Sequence, residues 1–275
     1  MLINCKGTLI DLSQPRVMGI LNCTPDSFYD GGRHSNESLL LQQAEKMLAE
    51  GAVFIDVGAY SSKPNAEFVT PEEELKRITP VIELILKNFP DTIISADTFR
   101  ANVAKACIDA GAAIINDISA GLLDENMLAA VGKFKVPYIM MHMRGTPQTM
   151  VTLTQYEDIV KEMLLYFSER ISAAREAGIN DIIIDPGFGF AKTLQQNYEV
   201  LGKLDLLKIA GLPILAGLSR KSMIYKLLGI TPDEALNGTT VLNTLALSKG
   251  AAILRVHDVK EAVEAVKIYN ALSNY

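Results

Sequence analysis

Residues 109–118 read Asp-Ala-Gly-Ala-Ala-Ile-Ile-Asn-Asp-Ile, and this short stretch carries its own punctuation. A helical segment ends at Gly111, the residue type that best tolerates the left-handed backbone just past a helix end. An unbroken apolar strand follows and closes on polar side chains. The same grammar recurs as AEGAVFIDVG at 49–58, EAGINDIIIDPG at 176–187 and SKGAAILRVH at 248–257. Strands without apolar–polar alternation are those covered on both faces, as in a parallel sheet.

Working outward, eight such strands are predicted, over residues 17–21, 53–57, 92–96, 113–118, 138–141, 182–185, 213–217 and 253–256. Each is followed by a plausible helix. Eight β/α units point to a closed (β/α)8 TIM barrel in preference to an open sheet, with the whole chain, 1–275, as a single domain. Two short runs, 2–5 and 8–12, flank Lys6-Gly7 and are placed as a hairpin across the barrel floor. Thr70-Pro71-Glu72-Glu73 and Thr231-Pro232-Asp233-Glu234 read as capping boxes that start helices. Leu75, Ile78, Ile82 and Ile85 share one helical face, as do Leu40, Ala44, Met47 and Leu48, and Ile159, Met163, Tyr166 and Phe167. Pro80 is expected to kink its helix.

The 275 residues are 49% hydrophobic and 21% charged, the balance of a globular protein, and the net charge of −6 argues against nucleic acid as a partner. Cys5, Cys23 and Cys107 have no paired spacing and read as reduced, structural thiols. No apolar run reaches the length of a membrane span and the first residues lack a leader pattern, so a cytoplasmic protein without membrane contact is expected.

In a parallel barrel the site lies at the carboxyl ends of the strands. The polar residues there are Asn22, Asp56, Asp97, Asn116 with Asp117, His142, Asp185, residues 219–222, and Arg255 with His257. Any one of them could simply tie down a loop, whereas eight strands ending this way indicate a ligand site. Acids and amides dominate strands three, four and six, while Arg220, Lys221, Arg255 and His257 gather after strands seven and eight. That sorting predicts a cationic end for an anion and a carboxylate–amide region for an amidine-like nitrogen edge. The isolated histidines give no transition-metal spacing. A metal here would be Mg2+, held largely by phosphate and water. The run GFGF at 187–190 lacks the spacing of a phosphate loop and reads as a close-packed turn, and no GxSxG elbow is present.

The residues now in hand resemble a known family. GILNCTPDSFYDGG at 19–32 and GAVFIDVGAYSSKP at 51–64 look like the first two signatures of dihydropteroate synthases. The blocks SADTFRANVAKACIDAGAAIINDISAG, DPGFGFAKT, GLSRKSMI and LRVHDV follow in the right order. The resemblance implies a transferase of folate biosynthesis that joins p-aminobenzoate to 6-hydroxymethyl-7,8-dihydropterin diphosphate and releases diphosphate. It implies that Asp185 and Asn116 read the pterin's amino-pyrimidine edge, that Lys221 donates to the ring, and that Asp97 contacts it, with Asp56 and Phe190 also lining the substrate. Asn22 would stand beside Mg2+, and Arg255 with His257 would clamp the diphosphate. Asp97, Asn22, Lys221, Arg255 and His257 form the expected catalytic set. Thr24, Pro25, Phe28, Ser62, Lys63 and Pro64 would close over the diphosphate and order the aminobenzoate pocket, the target of sulfonamides. Ser222 is placed to receive the aminobenzoate carboxylate. The family also implies a homodimer. Tyr60, Lys63 and Asn65 depart from the family's usual Glu-Ser-Thr-Arg-Pro-Gly, so the diphosphate grip of that loop and sulfonamide sensitivity stay open. Two other readings share the pterin contacts: a methyltransferase serving a corrinoid protein, which has little use for the NCTPDSF loop, and a non-enzymatic pterin binder, which needs neither Asn22 nor Arg255 and His257.

Overall fold

The computed structural model describes residues 1–23, 33–60 and 69–272. Strands β1 (Leu2–Cys5) and β2 (Thr8–Asp11) form the expected hairpin. Then follow β3 (Arg16–Asn22), α1 (Arg33–Ala49), β4 (Phe54–Gly58), α2 (Pro71–Asn88), β5 (Ile93–Asp97), α3 (Ala101–Asp109), β6 (Ile114–Asp117) and α4 (Met127–Phe134). The second half holds β7 (Tyr138–Met141), α5 (Ile159–Glu176), β8 (Ile182–Asp185), α6 (Leu194–Gly202), β9 (Ile214–Ala216), α7 (Ser222–Leu228), α8 (Leu236–Ser248), β10 (Ala251–Val256) and α9 (Val259–Leu272). Strands β3 to β10 are parallel and close on themselves, β10 pairing with both β3 and β9. This is the (β/α)8 barrel predicted above.

Side chains alternate in and out along each strand, and the inward ones form layers. The lower layer is apolar: Met18, Phe54, Ile114, Ile139, Ile183, Leu215 and Ile253 pack as one cluster with Ile3 and Cys5 of the hairpin and Leu12. The hairpin therefore stoppers the barrel floor, fastened by the Asn4 amide donating to Asp181 Oδ2 (2.9 Å) and Lys6 Nζ donating to the Ile108 carbonyl (2.9 Å). Of the next inward positions, Asp56, Ser95, Asn116, Asp185 and Arg255 are polar, with Ile20 and Met141 apolar among them. The barrel thus divides into a sealed hydrophobic floor and a polar mouth.

Between strands and helices lies the larger apolar cluster. Ile78, Ile82 and Ile85 of α2, Leu40, Ala44 and Met47 of α1, and Ile159, Met163 and Phe167 of α5 are buried in it, with Leu75, Leu48 and Tyr166 partly covered. Helix α2 runs through Pro80 without ending.

Three local expectations shift. Strand 92–96 moves on by one, so Asp97 closes β5 itself; 113–118 shortens because Asp117 turns the chain by accepting the amides of Ser119 and Gly121, each at 2.7 Å. Thr70 does cap α2, accepting the Glu73 amide at 3.3 Å. Thr231 does not begin a helix: its amide and hydroxyl both donate to Glu234 Oε2, closing a turn ahead of α8, which starts at Leu236. A complete capping box stands instead at Thr193 and Gln196.

Phe54 is completely buried where hairpin and barrel floor meet. Phe54→Ala is expected to cost about 3–5 kcal/mol through lost transfer energy and a residual cavity, checked by urea unfolding.

Candidate active site

Parallel register sets the level of each side chain at the mouth. Asn22 pairs with Gly58, Gly58 with Asp97 and Asp97 with Asn116, which puts β3 to β6 residues on one rim. Gly58 leaves room for its neighbour here, since a Cβ on it would press on the Asp97 Cβ at 3.3 Å. On the far side, Met141 pairs with Asp185, and Met141 joins Ile118, Met143, Met150, Phe99 and Phe190 in an apolar wall suited to a flat ring.

At the centre, Arg255 spans the mouth. Its Nε donates to Asp56 Oδ2 (2.6 Å) and one Nη to Asp97 Oδ2 (2.8 Å), while Asn116 Nδ2 also donates to Asp56 Oδ2 (3.1 Å). Asp56 is wholly buried in the middle of β4, not at a strand end as expected, and its Oδ1 has no hydrogen-bond partner among the described residues. Burial works against the Arg255 charge, but Asp56 and Asp97 outweigh it, so its pKa is raised. Burial pushes the Asp97 carboxyl up to about 7, with Arg255 pulling the other way.

The second group lies on β8 and the segment after β9. Asp185 Oδ1 accepts the Gly187 amide at 2.7 Å; burial raises its pKa, opposed by that bond and then by Lys221 and Arg255. Lys221 donates to the Phe188 carbonyl, and its ammonium stands 4.5 Å over the Phe190 ring. Burial brings Lys221 down to about 8 against the pull of Asp185. The GFGF run is the close-packed turn read from sequence: Gly187 and Gly189 have φ of 66° and 83°, and a Cβ on Gly187 would meet the His142 carbonyl oxygen at 2.2 Å.

His257 is exposed at the rim, its Nδ1 3.0 Å from Ser219 Oγ. Asn22 is likewise exposed, at the end of β3. Ser222 opens α7 beside Lys221. The expected contributions of Thr24, Pro25, Phe28, Ser62, Lys63 and Pro64 lie outside the described residues. Tyr60, in place of the resembled family's Glu, packs edge-on to Phe99 (5.2 Å between centroids) and accepts from Gln148 Nε2 (3.0 Å).

Three polar strand ends turn out to serve the framework. Arg220 is not part of the cationic end, because its guanidinium grips Asp258 with bonds of 3.0 and 2.7 Å. Asp117 is fully buried and takes the Ser119 and Gly121 amides and the Tyr138 hydroxyl. His142 is buried against Lys192 (3.1 Å) and held neutral, its pKa pushed well below 6.5 by burial and by Lys192. Sequence reasoning also passed over Glu74 and Lys192. Glu74, in the first turn of α2, is buried, accepts from Thr98 Oγ1 (2.7 Å) and pairs with Arg100, which also holds the Val69 carbonyl (2.6 Å). The signal for Lys192 was a lysine in an otherwise apolar turn.

A carboxylate, a carboxamide, an ammonium, a guanidinium and an imidazole gathered around one mouth define a barrel enzyme that can read a nitrogen heterocycle and handle an anion in the same place. Comparison with known proteins gives the same class: residues 18–257 match the family described as pterin binding enzyme. The chain is 44% identical to dihydropteroate synthase of Escherichia coli K12 over 268 residues, 97% of this chain and 94% of that one. Dihydropteroate synthase of Yersinia pestis, solved in complex with a sulfonamide drug, superposes with a TM-score of 0.94 at 42% identity, covering 100% of both chains. That of Xanthomonas albilineans, solved with 4-aminobenzoic acid, gives 0.93 at 40% identity, covering 100% of this chain and 98% of that one. The chain belongs to the pterin-binding enzyme family and, within it, to the dihydropteroate synthases.

Removing the guanidinium at the mouth has a pH-dependent consequence. In Arg255→Ala the Asp97 carboxyl loses the charge that opposes its burial, so its pKa in the folded state rises further above the unfolded value of about 3.9. A raised folded pKa gives stability at low pH that is lost as pH climbs through it. The variant is therefore expected to be about 3–5 kcal/mol less stable than the parent at pH 8, with the gap narrowing toward pH 5. Urea melts at both pH values check this, and equal deficits would contradict it.

Proposed function

We propose that the chain joins p-aminobenzoate to 6-hydroxymethyl-7,8-dihydropterin diphosphate, giving 7,8-dihydropteroate and diphosphate. The observation that carries the reading is the placement of Asp185, Asn116 and Lys221 around one mouth with Arg255 and Asp97. Asp185 and Asn116 offer an acceptor and an amide to the pterin's amino-pyrimidine edge, and Lys221 donates to the ring's oxygen and nitrogen. The Phe190 side of the pocket, with Met141 behind it, supplies apolar contact for the rings.

In the reaction the bond from the pterin methylene carbon to the diphosphate oxygen breaks, and a carbon–nitrogen bond to the aniline forms as the amine gives up a proton. Arg255 has N–H donors beyond those used by Asp56 and Asp97. Together with His257 these receive the charge growing on the departing diphosphate, a stabilisation by fixed dipoles and charges that needs no covalent enzyme intermediate. Asp97 stands beside the methylene and stabilises the positive charge left there. Ser222 receives the aminobenzoate carboxylate, in the pocket where a sulfonamide would compete.

The donor set fits Mg2+. Asn22 offers one hard oxygen at the rim, with diphosphate and water left to complete the coordination. When bound, Mg2+ supplies charge neutralisation to the diphosphate.

A homodimer is supported by the exposed apolar side chains of three adjacent helices: Leu227 and Leu228 of α7, Val241 and Leu245 of α8, and Ile268 and Leu272 of α9. Among the described residues no helix is long and apolar enough to cross a membrane, and the three buried free thiols suit the reducing cytoplasm. Leu245→Lys is expected to shift sedimentation from dimer to monomer.

The direct test is diphosphate release from the dihydropterin diphosphate, with and without p-aminobenzoate and Mg2+. Mg2+-dependent release coupled to dihydropteroate, abolished in Arg255→Ala, is expected; tight pterin binding with no coupled product would refute the reading. Asp97→Asn is expected to lower kcat about a hundredfold while changing pterin affinity about threefold or less, and equal losses in both would remove Asp97 from the chemical step.

A further inference from the structure

Lys192 ends the segment Asp185-Pro-Gly-Phe-Gly-Phe-Ala-Lys, and its ammonium is buried. Burial drives its pKa down to about 7, partly offset by Asp185 and reinforced by Lys221 and Arg144. A methionine would fill such a place without the cost of desolvating a charge. What the ammonium does there is donate in three directions: to the Gly187 carbonyl (2.9 Å), the Phe190 carbonyl (2.9 Å) and His142 Nδ1 (3.1 Å). The first two belong to the turn that carries the ring-reading groups, and the third belongs to the residue just after β7.

The turn depends on such ties. Gly187, Gly189 and Ala191 all lie in the left-handed region, with φ of 66°, 83° and 47°, which a residue with a Cβ adopts only at a cost. Within the turn the Phe190 amide donates to the Gly187 carbonyl at 3.1 Å. From this turn the Gly187 amide orients Asp185, the Phe188 carbonyl fixes Lys221, and Phe190 places its ring under that ammonium.

We propose that Lys192 is a positioning residue for pterin recognition, its ammonium tying residues 187 and 190 to His142 so that Asp185 and Lys221 are held ready for the ring. The inference rests on the reading of Asp185 and Lys221 as pterin contacts. Lys192 itself is buried, with its bonds made to the turn's carbonyls and to His142. His142 takes part as an acceptor, which requires an unprotonated Nδ1, in keeping with its lowered pKa.

The test uses the full chain and the variants Lys192→Met, His142→Asn and His142→Leu. Pterin affinity is read by fluorescence titration with 6-hydroxymethyl-7,8-dihydropterin, turnover by dihydropteroate formation and folding by thermal melts. Lys192→Met is expected to weaken pterin affinity about tenfold and to raise the pterin KM in step, with kcat within about threefold and melting temperature unchanged or higher. His142→Asn keeps an oxygen acceptor where Nδ1 stands and should bind nearly as the parent does. His142→Leu lacks one and should follow Lys192→Met. A folded Lys192→Met with parental pterin affinity overturns the proposal, as does equal impairment of the two His142 variants, which carry the test if Lys192→Met fails to fold. A parent chain that binds pterin and forms no dihydropteroate refutes the synthase reading instead, leaving the affinity comparison to judge Lys192.

Discussion

The mouth of this barrel is organised by one guanidinium. Arg255 reaches from β10 across the interior to Asp56 on β4 and Asp97 on β5, and the arrangement works because each partner would be untenable alone. Two carboxylates in neighbouring strands, one of them fully buried, repel each other and lose hydration; a guanidinium at the same depth loses hydration as well. Brought together with directional hydrogen bonds, the charges offset these costs and leave a mouth that is polar, rigid and dry below. The rim positions at Gly58 and Asn116 then follow, the first leaving room beside Asp97, the second bonded into the same cluster.

Below that cluster the demand is opposite. The apolar floor packs against the hairpin, which keeps water from reaching the buried Asp56 from beneath. Electrostatic interactions strengthen as water is excluded, so a hairpin remote from any substrate still conditions the strength of the ion cluster. The outer helices contribute in another way. The buried Glu74, bonded to Thr98 and Arg100, joins the start of α2 to the segment leading into α3, which steadies the chain just beyond Asp97.

The architecture was legible because its signals are repetitive and local: a glycine between helix and strand in four of the units, an unbroken apolar strand, a polar strand end. Eight repetitions leave one sensible closure, and the hairpin announced itself through Lys6-Gly7, both of which have positive φ. Much of the site was legible too, since the position of a polar residue along a parallel strand states its height in the barrel. Direction is what a one-dimensional pattern cannot give. Arg220 and Lys221 are neighbours in sequence, yet Arg220 adopts φ of 53° and turns out to Asp258 while Lys221 turns in to Phe188. Asp117 and Asn116 are likewise adjacent and face opposite sides of β6, so one ties a loop and the other joins the mouth. Glu74 and Lys192 were harder still, because their partners are distant in the chain or are backbone carbonyls that leave no trace in residue identity. The aminobenzoate and diphosphate loops were assigned from resemblance alone.

These features explain why two kinds of rigidity meet in one site. A planar heterocycle is recognised by donors and acceptors whose directions are set in advance, and on the β8 side direction comes from the bonds to Asp185, Lys221 and the carbonyls of the 187–190 turn. Charge whose position is set in advance is the other requirement, and at the centre of the mouth position comes from Arg255 locked between carboxylates. Preorganised groups need little rearrangement when charge develops, which is where most of their catalytic advantage lies. The cost is borne by the fold itself, in buried carboxylates with raised pKa values, a lysine whose pKa burial lowers to about 7 and left-handed backbone at Ala191. Strain of this sort persists only where surrounding packing over-determines it, and at Ala191 the apolar wall of Ile118, Met141, Met143 and Met150 provides that packing.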